Sequence, residues 1–256
     1  MTTASREEDG KSPAPAEGRQ SIYIARYGLP ETPLVEGVGP FDMNLSAEGT
    51  QAAHELARHL HENARIKHIF TSPFKRALHT ASIVSQDLGL GKVNVEDGIT
   101  EWQSPELVGG ENPYKPPSLI DLLENFPEIN PKWEPMCRPE PFETEEEMCT
   151  RAARVARILA DSCFPSDVLI VSHAPCNIAI GLGLEGLDLK EARGRTKIEP
   201  WPLGGLTRFT RDSVGESSRW ELAESCATGH LSGHWREGKQ RWTLPALRRH
   251  VQARGW

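Results

Sequence analysis

Residues Ser21 to Pro30 read Ser-Ile-Tyr-Ile-Ala-Arg-Tyr-Gly-Leu-Pro. The apolar run Ile22-Tyr23-Ile24-Ala25 stops at Arg26-Tyr27-Gly28. A short apolar run that ends in turn residues predicts a buried strand. Open α/β sheets bind ligands at the carboxyl ends of their strands, so Arg26 and Tyr27 are expected at such a rim.

Further segments of the same kind follow. Ser46 is expected to cap a helix in which Ala52, Leu56 and Leu60 recur every four residues. Ile66 to Thr71 reads as a strand. Ser72-Pro73 reads as a cap and first-turn proline of a helix to about Leu88, with Leu78, Ala81 and Val84 on one face. Lys92 to Val95 is a short strand candidate. Thr144 to Ser162 is expected to be helical, with Glu145-Glu146-Glu147 first and Arg151, Arg154 and Arg157 later, the order a helix dipole favours. Asp167 to Ser172 is a buried strand, and His173-Ala174-Pro175 enters a helix to about Leu184. Leu206 to Thr210 and Trp220 to Ala223 complete the strands. Strands alternating with helices predict an α/β fold with a mostly parallel central sheet.

The chain has 256 residues, 38% hydrophobic and 25% charged, with a net charge of -7. These are values of an ordinary globular domain, with no global bias towards nucleic acid. Five cysteines without a CxxC spacing read as free thiols in a reducing compartment. No apolar run is long enough to span a bilayer, so no membrane contact is expected, and cytoplasm is the expected location, with the nucleus as the alternative. Residues 1 to 20 lack large apolar side chains and are expected to be disordered. The folded domain is expected over 21 to 235. Within it, residues 98 to 141 are dense in Pro, Gly and aromatics, with one helix candidate at Ser118 to Phe126, and read as an insertion forming a lid or pocket wall. Residues 236 to 256 hold six Lys or Arg and one acid, and read as a basic, solvated tail.

Three of these elements bring charged or titratable groups to one rim. Arg26 and His173 stand at strand ends, and Arg76 stands in the helix that follows a third strand. Two arginines converging on one point make a bidentate clamp for phosphate oxygens, and a protonated His173 donates to the same oxyanion. Cys226, His230 and His234 recur every four residues, but Gly229 and Gly233 break a helix there, so a metal site is not expected.

Arg26-Tyr27-Gly28 resembles the Arg-His-Gly signature of the histidine phosphatase superfamily, the phosphoglycerate mutase-like fold. Asn44 to Ala52 (NLSAEGTQA) is similar to that family's helix entry. Ser72 to Ala81 (SPFKRALHTA) is similar to its Ser-Pro-x-x-Arg-Ala-x-x-Thr-Ala block, and Ile170 to Ala174 to its late strand with a second histidine. Glu101-Trp102 is closest to the branch of the suppressor-of-T-cell-receptor-signalling and ecdysteroid-phosphate phosphatases. That branch also contains a phosphatase-like subunit of an RNA polymerase III transcription factor.

The resemblance implies a three-layer α/β/α fold. It implies that Arg26, Arg76 and His173 bind phosphate and that Glu101 donates a proton to the leaving group. It implies neither a metal nor an organic cofactor. In the family the first-motif histidine attacks phosphorus, and here Tyr27 stands in its place. A phenol ionises near pH 10, so about one part in a thousand is anionic at neutral pH, and a tyrosine phosphoester is less labile than a phosphohistidine. Three readings follow. The chain is a phosphate-binding or protein-binding module without turnover, an active phosphomonoesterase that uses or tolerates Tyr27, or a scaffold subunit of a larger assembly. Expected ligands are a phosphorylated small molecule or a phosphoprotein, alongside a protein partner.

Overall fold

The computed structural model describes residues 18–31, 43–105, 115–193, 199–215 and 218–250. Most of the tail expected over 1–20 and of the loop after Leu29 lies outside them. Six strands form one sheet: β1 (Gln20–Arg26), β2 (Ile66–Thr71), β3 (Asn94–Val95), β4 (Asp167–Ser172), β5 (Leu206–Arg211) and β6 (Glu221–Ala227). Their order is β3-β2-β4-β1-β5-β6. The first four run parallel, β5 runs antiparallel to β1, and β6 runs antiparallel to β5. The helices are α1 (Ala47–Asn63), α2 (Lys75–Asp87), α3 (Leu119–Asn125), α4 (Glu145–Cys163), α5 (Ala174–Leu184) and α6 (Leu189–Ala192).

Alternation along the strands builds two cores. Ile22 and Ile24 of β1, with Val168 and Ile170 of β4, pack with Ala152, Val155 and Leu159 of α4 and Ile178 of α5. Tyr23, Ala25, Leu169 and Val171 point the other way, onto Leu56 and Leu60 of α1 and Leu78 and Ala81 of α2. Helices therefore cover both faces of the sheet, and the three-layer α/β/α arrangement is present.

Register sets the rim. Arg26 pairs with Ser172 across β1 and β4, and Thr71 pairs with Val171 across β2 and β4. The three strands end level, so Tyr27, Ser72 and His173 leave the sheet side by side. The turn after β1 needs its glycine. A Cβ on Gly28 would stand 2.5 Å from the Gly49 carbonyl oxygen, far inside contact distance. Gly28 also donates its N–H to Thr80 Oγ1 at 3.2 Å.

Local chemistry explains most helix starts. Ser46 accepts from Gly49 N, while Ser118 and Thr144 each form a capping box with the residue three positions on. Ser72 departs from expectation. The cap position of α2 is Phe74, without a side-chain hydrogen bond, and the helix begins at Lys75. The Ser72 hydroxyl is committed elsewhere, as described below. The strand expected over 92 to 95 shrinks to Asn94–Val95, and the last strand lies at Glu221–Ala227, one residue later and longer than expected.

The expected domain boundary at 235 has no counterpart in the packing. Leu244 and Leu247 are fully buried in the α4–α5 core, and Trp201 and Trp242 form a two-way backbone bridge. The described residues beyond 235 thus belong to the body of the domain, because two leucines in a basic segment have apolar surface to bury. At the other end β1 starts at Gln20, whose side chain bonds the carbonyls of Ala160 and Ser166 at 2.8 Å each.

The insertion is held by a buried carboxylate. Glu96 accepts from Gly98 N (2.9 Å), Met136 N (3.0 and 3.1 Å) and Trp133 Nε1 (3.3 Å). Glu96→Ala leaves these donors unmatched and is expected to cost about 2–4 kcal/mol. A urea midpoint equal to that of the unsubstituted chain would show that the wall is held by other contacts.

Candidate functional site

Tyr27, Arg76, Glu101 and His173 meet at the rim. Arg76 projects from the first turn of α2 and is 3% exposed, and His173, at the cap position of α5, is wholly buried. Glu101 follows the 3-10 turn Asp97–Ile99. Its Oε2 lies 2.9 Å from Arg76 Nη2 and 2.9 Å from His173 Nδ1. Arg76 Nη2 also approaches His173 Nδ1 at 3.1 Å, and His173 Nε2 lies 2.8 Å from Ser72 Oγ. One proton assignment satisfies this network. Nδ1–H and the guanidinium both donate to Glu101, and the Ser72 hydroxyl donates to Nε2. His173 is then neutral, with both nitrogens used.

The electrostatics agree. Burial pulls His173 down to about 4, against the weaker pull of Glu101. Burial would raise Glu101, but His173, then Arg76 and Arg26, hold it down to about 2. Arg76 is raised above its ordinary value although burial opposes it, because Tyr27 and Glu101 stabilise the cation. Glu101 is therefore a carboxylate in these surroundings at neutral pH.

Tyr27 is 8% exposed. Its ring lies 4.7 Å from the Arg76 guanidinium carbon and 5.6 Å from that of Arg26, and meets His173 edge-on at 5.2 Å. Phe74 also meets His173 edge-on, at 5.3 Å. Arg26 Nη1 donates to the carbonyls of Trp201 (2.8 Å) and Gln240 (2.7 Å), tying β1 to the C-terminal segment, while its guanidinium stays at the rim beside Tyr27. Ser72, Phe74 and the two carbonyls are site elements that sequence reasoning missed. Only Ser72 carried a signal, its place in the Ser-Pro-x-x-Arg block.

Beside this cluster lies a cleft of about 580 Å³, within the usual range for small-ligand sites. Pro73, Thr100 and Glu101 line it on the side shared with the cluster, and Val95, Leu122 and Trp133 are among its apolar lining. The expected pocket wall from the insertion is thus in place. Burial pushes the Cys176 thiol up to about 12, which disfavours a thiolate there. Among the described residues, no group of three His, Cys, Asp or Glu is placed to hold a metal ion, and no helix is long and apolar enough to cross a membrane.

The family model of the histidine phosphatase superfamily (branch 1) matches residues 22–219. The chain belongs to that superfamily. Among curated proteins, it is 32% identical over 185 residues to the transcription factor tau 55 kDa subunit of Saccharomyces cerevisiae. That match covers 66% of this chain and 41% of the yeast protein, so the chain spans less than half of that relative. Among solved structures, an ecdysone phosphate phosphatase of Bombyx mori in complex with tungstate superposes with a TM-score of 0.62. Identity is 16%, over 80% of this chain and 92% of that one. A phosphoserine phosphatase of Entamoeba histolytica gives 0.54 at 21% identity, over 83% and 100%. At these identities the two structures establish the shared histidine phosphatase fold.

Acid is expected to weaken this superfamily member. His173 has a folded value near 4, as does His230, lowered by burial and by His59. An unfolded histidine protonates near 6.5. Between pH 6.5 and 4 the unfolded chain binds more protons, so stability falls, on the order of 3 kcal/mol per histidine by pH 4. Glu101, ordinarily near 4.5 and here about 2, continues the loss below pH 4.5. Urea midpoints should fall steadily from pH 7 to 4. A flat profile would mean that His173 is already charged in the folded protein.

Proposed function

We propose that this histidine-phosphatase-fold chain does not turn over phosphomonoesters and serves as a protein-binding subunit of a larger, nuclear assembly. The observation that carries the reading is Tyr27: a phenol stands at the rim position where the motif has its nucleophile, packed against the guanidinium of Arg76. Three features support it. The imidazole of His173 is not free to act as base, since both of its nitrogens are hydrogen-bonded. Glu101 is ionised, and one nitrogen of Arg26 is taken up by main-chain carbonyls. The assembly part of the reading is supported by the yeast relative, whose name is that of a transcription factor subunit.

The deciding experiment is hydrolysis of p-nitrophenyl phosphate by the chain as it stands and by Tyr27→His. Turnover above background by the chain as it stands, equal to that of Tyr27→His, would overturn the loss of catalysis. For the assembly, the tagged chain in nuclear extract should migrate in a particle well above its free mass. Migration as free chain only would overturn that part.

A further inference from the structure

We propose that the outer face of α3 is a docking ridge for another subunit, and that its occupant is an amphipathic helix whose apolar stripe is flanked by Lys and Arg. The inference rests on reading the chain as a protein-binding subunit, and it names the face and the chemistry of the partner.

Exposure is the first support. Ile120 is 73% exposed and Leu119 41%, and Ile120 is the most exposed large apolar side chain among the described residues. Scattered apolar side chains are ordinary on a protein surface. These two are neighbours on one helix of seven residues, and half-buried Leu123 stands one turn on from Ile120. The helix is anchored to the core by Leu122 and by Phe126 at its end, so Ile120 is not needed to hold it.

Charge is the second. Ser118 to Glu128 contains Asp121, Glu124 and Glu128 and no Lys, Arg or His. Among the described residues none of these three carboxylates has an ion pair. Asp121 is bonded to Ser118 in the capping box and Glu128 accepts from Gln86 of α2, contacts that leave both charges in place. An apolar ridge rimmed by one sign of charge selects a partner rimmed by the other. A second copy of this face would set acid against acid.

Backbone is the third. The capping box completes the first turn of α3, and the Phe126 N–H bonds the Leu122 carbonyl at its end. With those groups satisfied, the ridge cannot extend a sheet and is read through side chains, as one helix reads another. Seven residues rise about 10 Å, the length of about two turns of a partner helix. Ile129, just after α3, bridges Val93, just before β3. The ridge thus lies beside the β3 edge of the sheet, and β6 forms the opposite edge.

Two short helical peptides test this by fluorescence anisotropy. They share one leucine stripe, flanked by Lys in the first and by Glu in the second. The chain is expected to bind the Lys peptide at least about tenfold more tightly than the Glu peptide. Ile120→Ser/Glu124→Lys should abolish that preference. Leu222→Ser/Glu221→Lys makes the same change on β6, at two other exposed side chains, and should leave it intact. The proposal is overturned if the unsubstituted chain shows no preference, if the Ile120→Ser/Glu124→Lys chain keeps it, or if the β6 variant loses it as well. In nuclear extract the Ile120→Ser/Glu124→Lys chain should migrate as free chain and the β6 variant in the particle. A particle retained by the former overturns the proposal. Should Ile120→Ser/Glu124→Lys not fold, Glu124→Lys alone carries both comparisons. If the unsubstituted chain itself enters no particle, the assembly reading falls, and the peptide preference still decides the ridge.

Discussion

p-Nitrophenyl phosphate should remain intact with the chain as it stands, and Tyr27→His should hydrolyse it at least about a hundredfold above that background. The size follows from two opposing terms. Removing a nucleophile costs up to about a million-fold in well-studied hydrolases, so restoring an imidazole at the end of β1 has that much to recover. A proton donor is worth about 10²–10⁴, and Glu101 is ionised in its contacts with Arg76 and His173. Only part of the loss therefore returns, about 10²–10⁴-fold. p-Nitrophenol is a good leaving group and least needs the missing acid. A substrate with an alkyl leaving group should gain less from Tyr27→His, which separates a restored nucleophile from a general improvement in binding. No gain with either substrate, in a folded variant, would place the defect in the arginines.

The second large effect is on stability. Arg76→Ala is expected to cost about 3–5 kcal/mol, because it leaves the Glu101 carboxylate buried without its guanidinium. Tyr27 loses the cation against its ring at the same time. Arg76→Lys should recover part of the loss, since a single ammonium can reach one oxygen but lacks the planar fork. The double variant Arg76→Ala/Glu101→Gln should be more stable than Arg76→Ala alone, because the stranded charge is gone. Urea denaturation of the three variants measures this. If the double variant is the weaker, Glu101 is balanced by another cation.

Much of the architecture was legible from residue order. The strand Asp167–Ser172 and the helix to Leu184 agree with expectation to the residue, because a fully apolar run flanked by polar turns admits few alternatives. The helix starts at Thr144 and Ser118 were legible because the groups that complete them, Glu147 and Asp121, lie three residues away. Ser72 was misread because its partner, His173, is 101 residues distant, and the same Ser-Pro pair serves either role. The last strand was misplaced because Glu221, Leu222 and Ala223 are exposed at the sheet edge, where no burial pattern marks the ends. At the site, the four side chains were named from motifs, yet their chemistry was not. Motif spacing placed Arg26 at the rim, but its partners are carbonyls of Trp201 and Gln240, and a main-chain oxygen leaves no trace in residue type. Likewise the position of Glu101 was readable, whereas its protonation depends on which cations the folded chain brings around it.

The place of β1 between β4 and β5 matters for synthesis on the ribosome. Both neighbours are made long after it: β4 begins at Asp167 and β5 ends at Arg211. At about 5–20 residues per second, the strand from Gln20 to Arg26 waits roughly 10–40 s before both of its edges can pair. The carbonyl of Gln240 that holds Arg26 emerges later still. During that interval an apolar segment with open edges stands free of the sheet it will anchor, so the nascent chain should depend on chaperones that bind extended apolar segments. A circular permutant that opens ahead of β5 and joins the old termini, so that β5 and β6 are made before β1, should depend on them less.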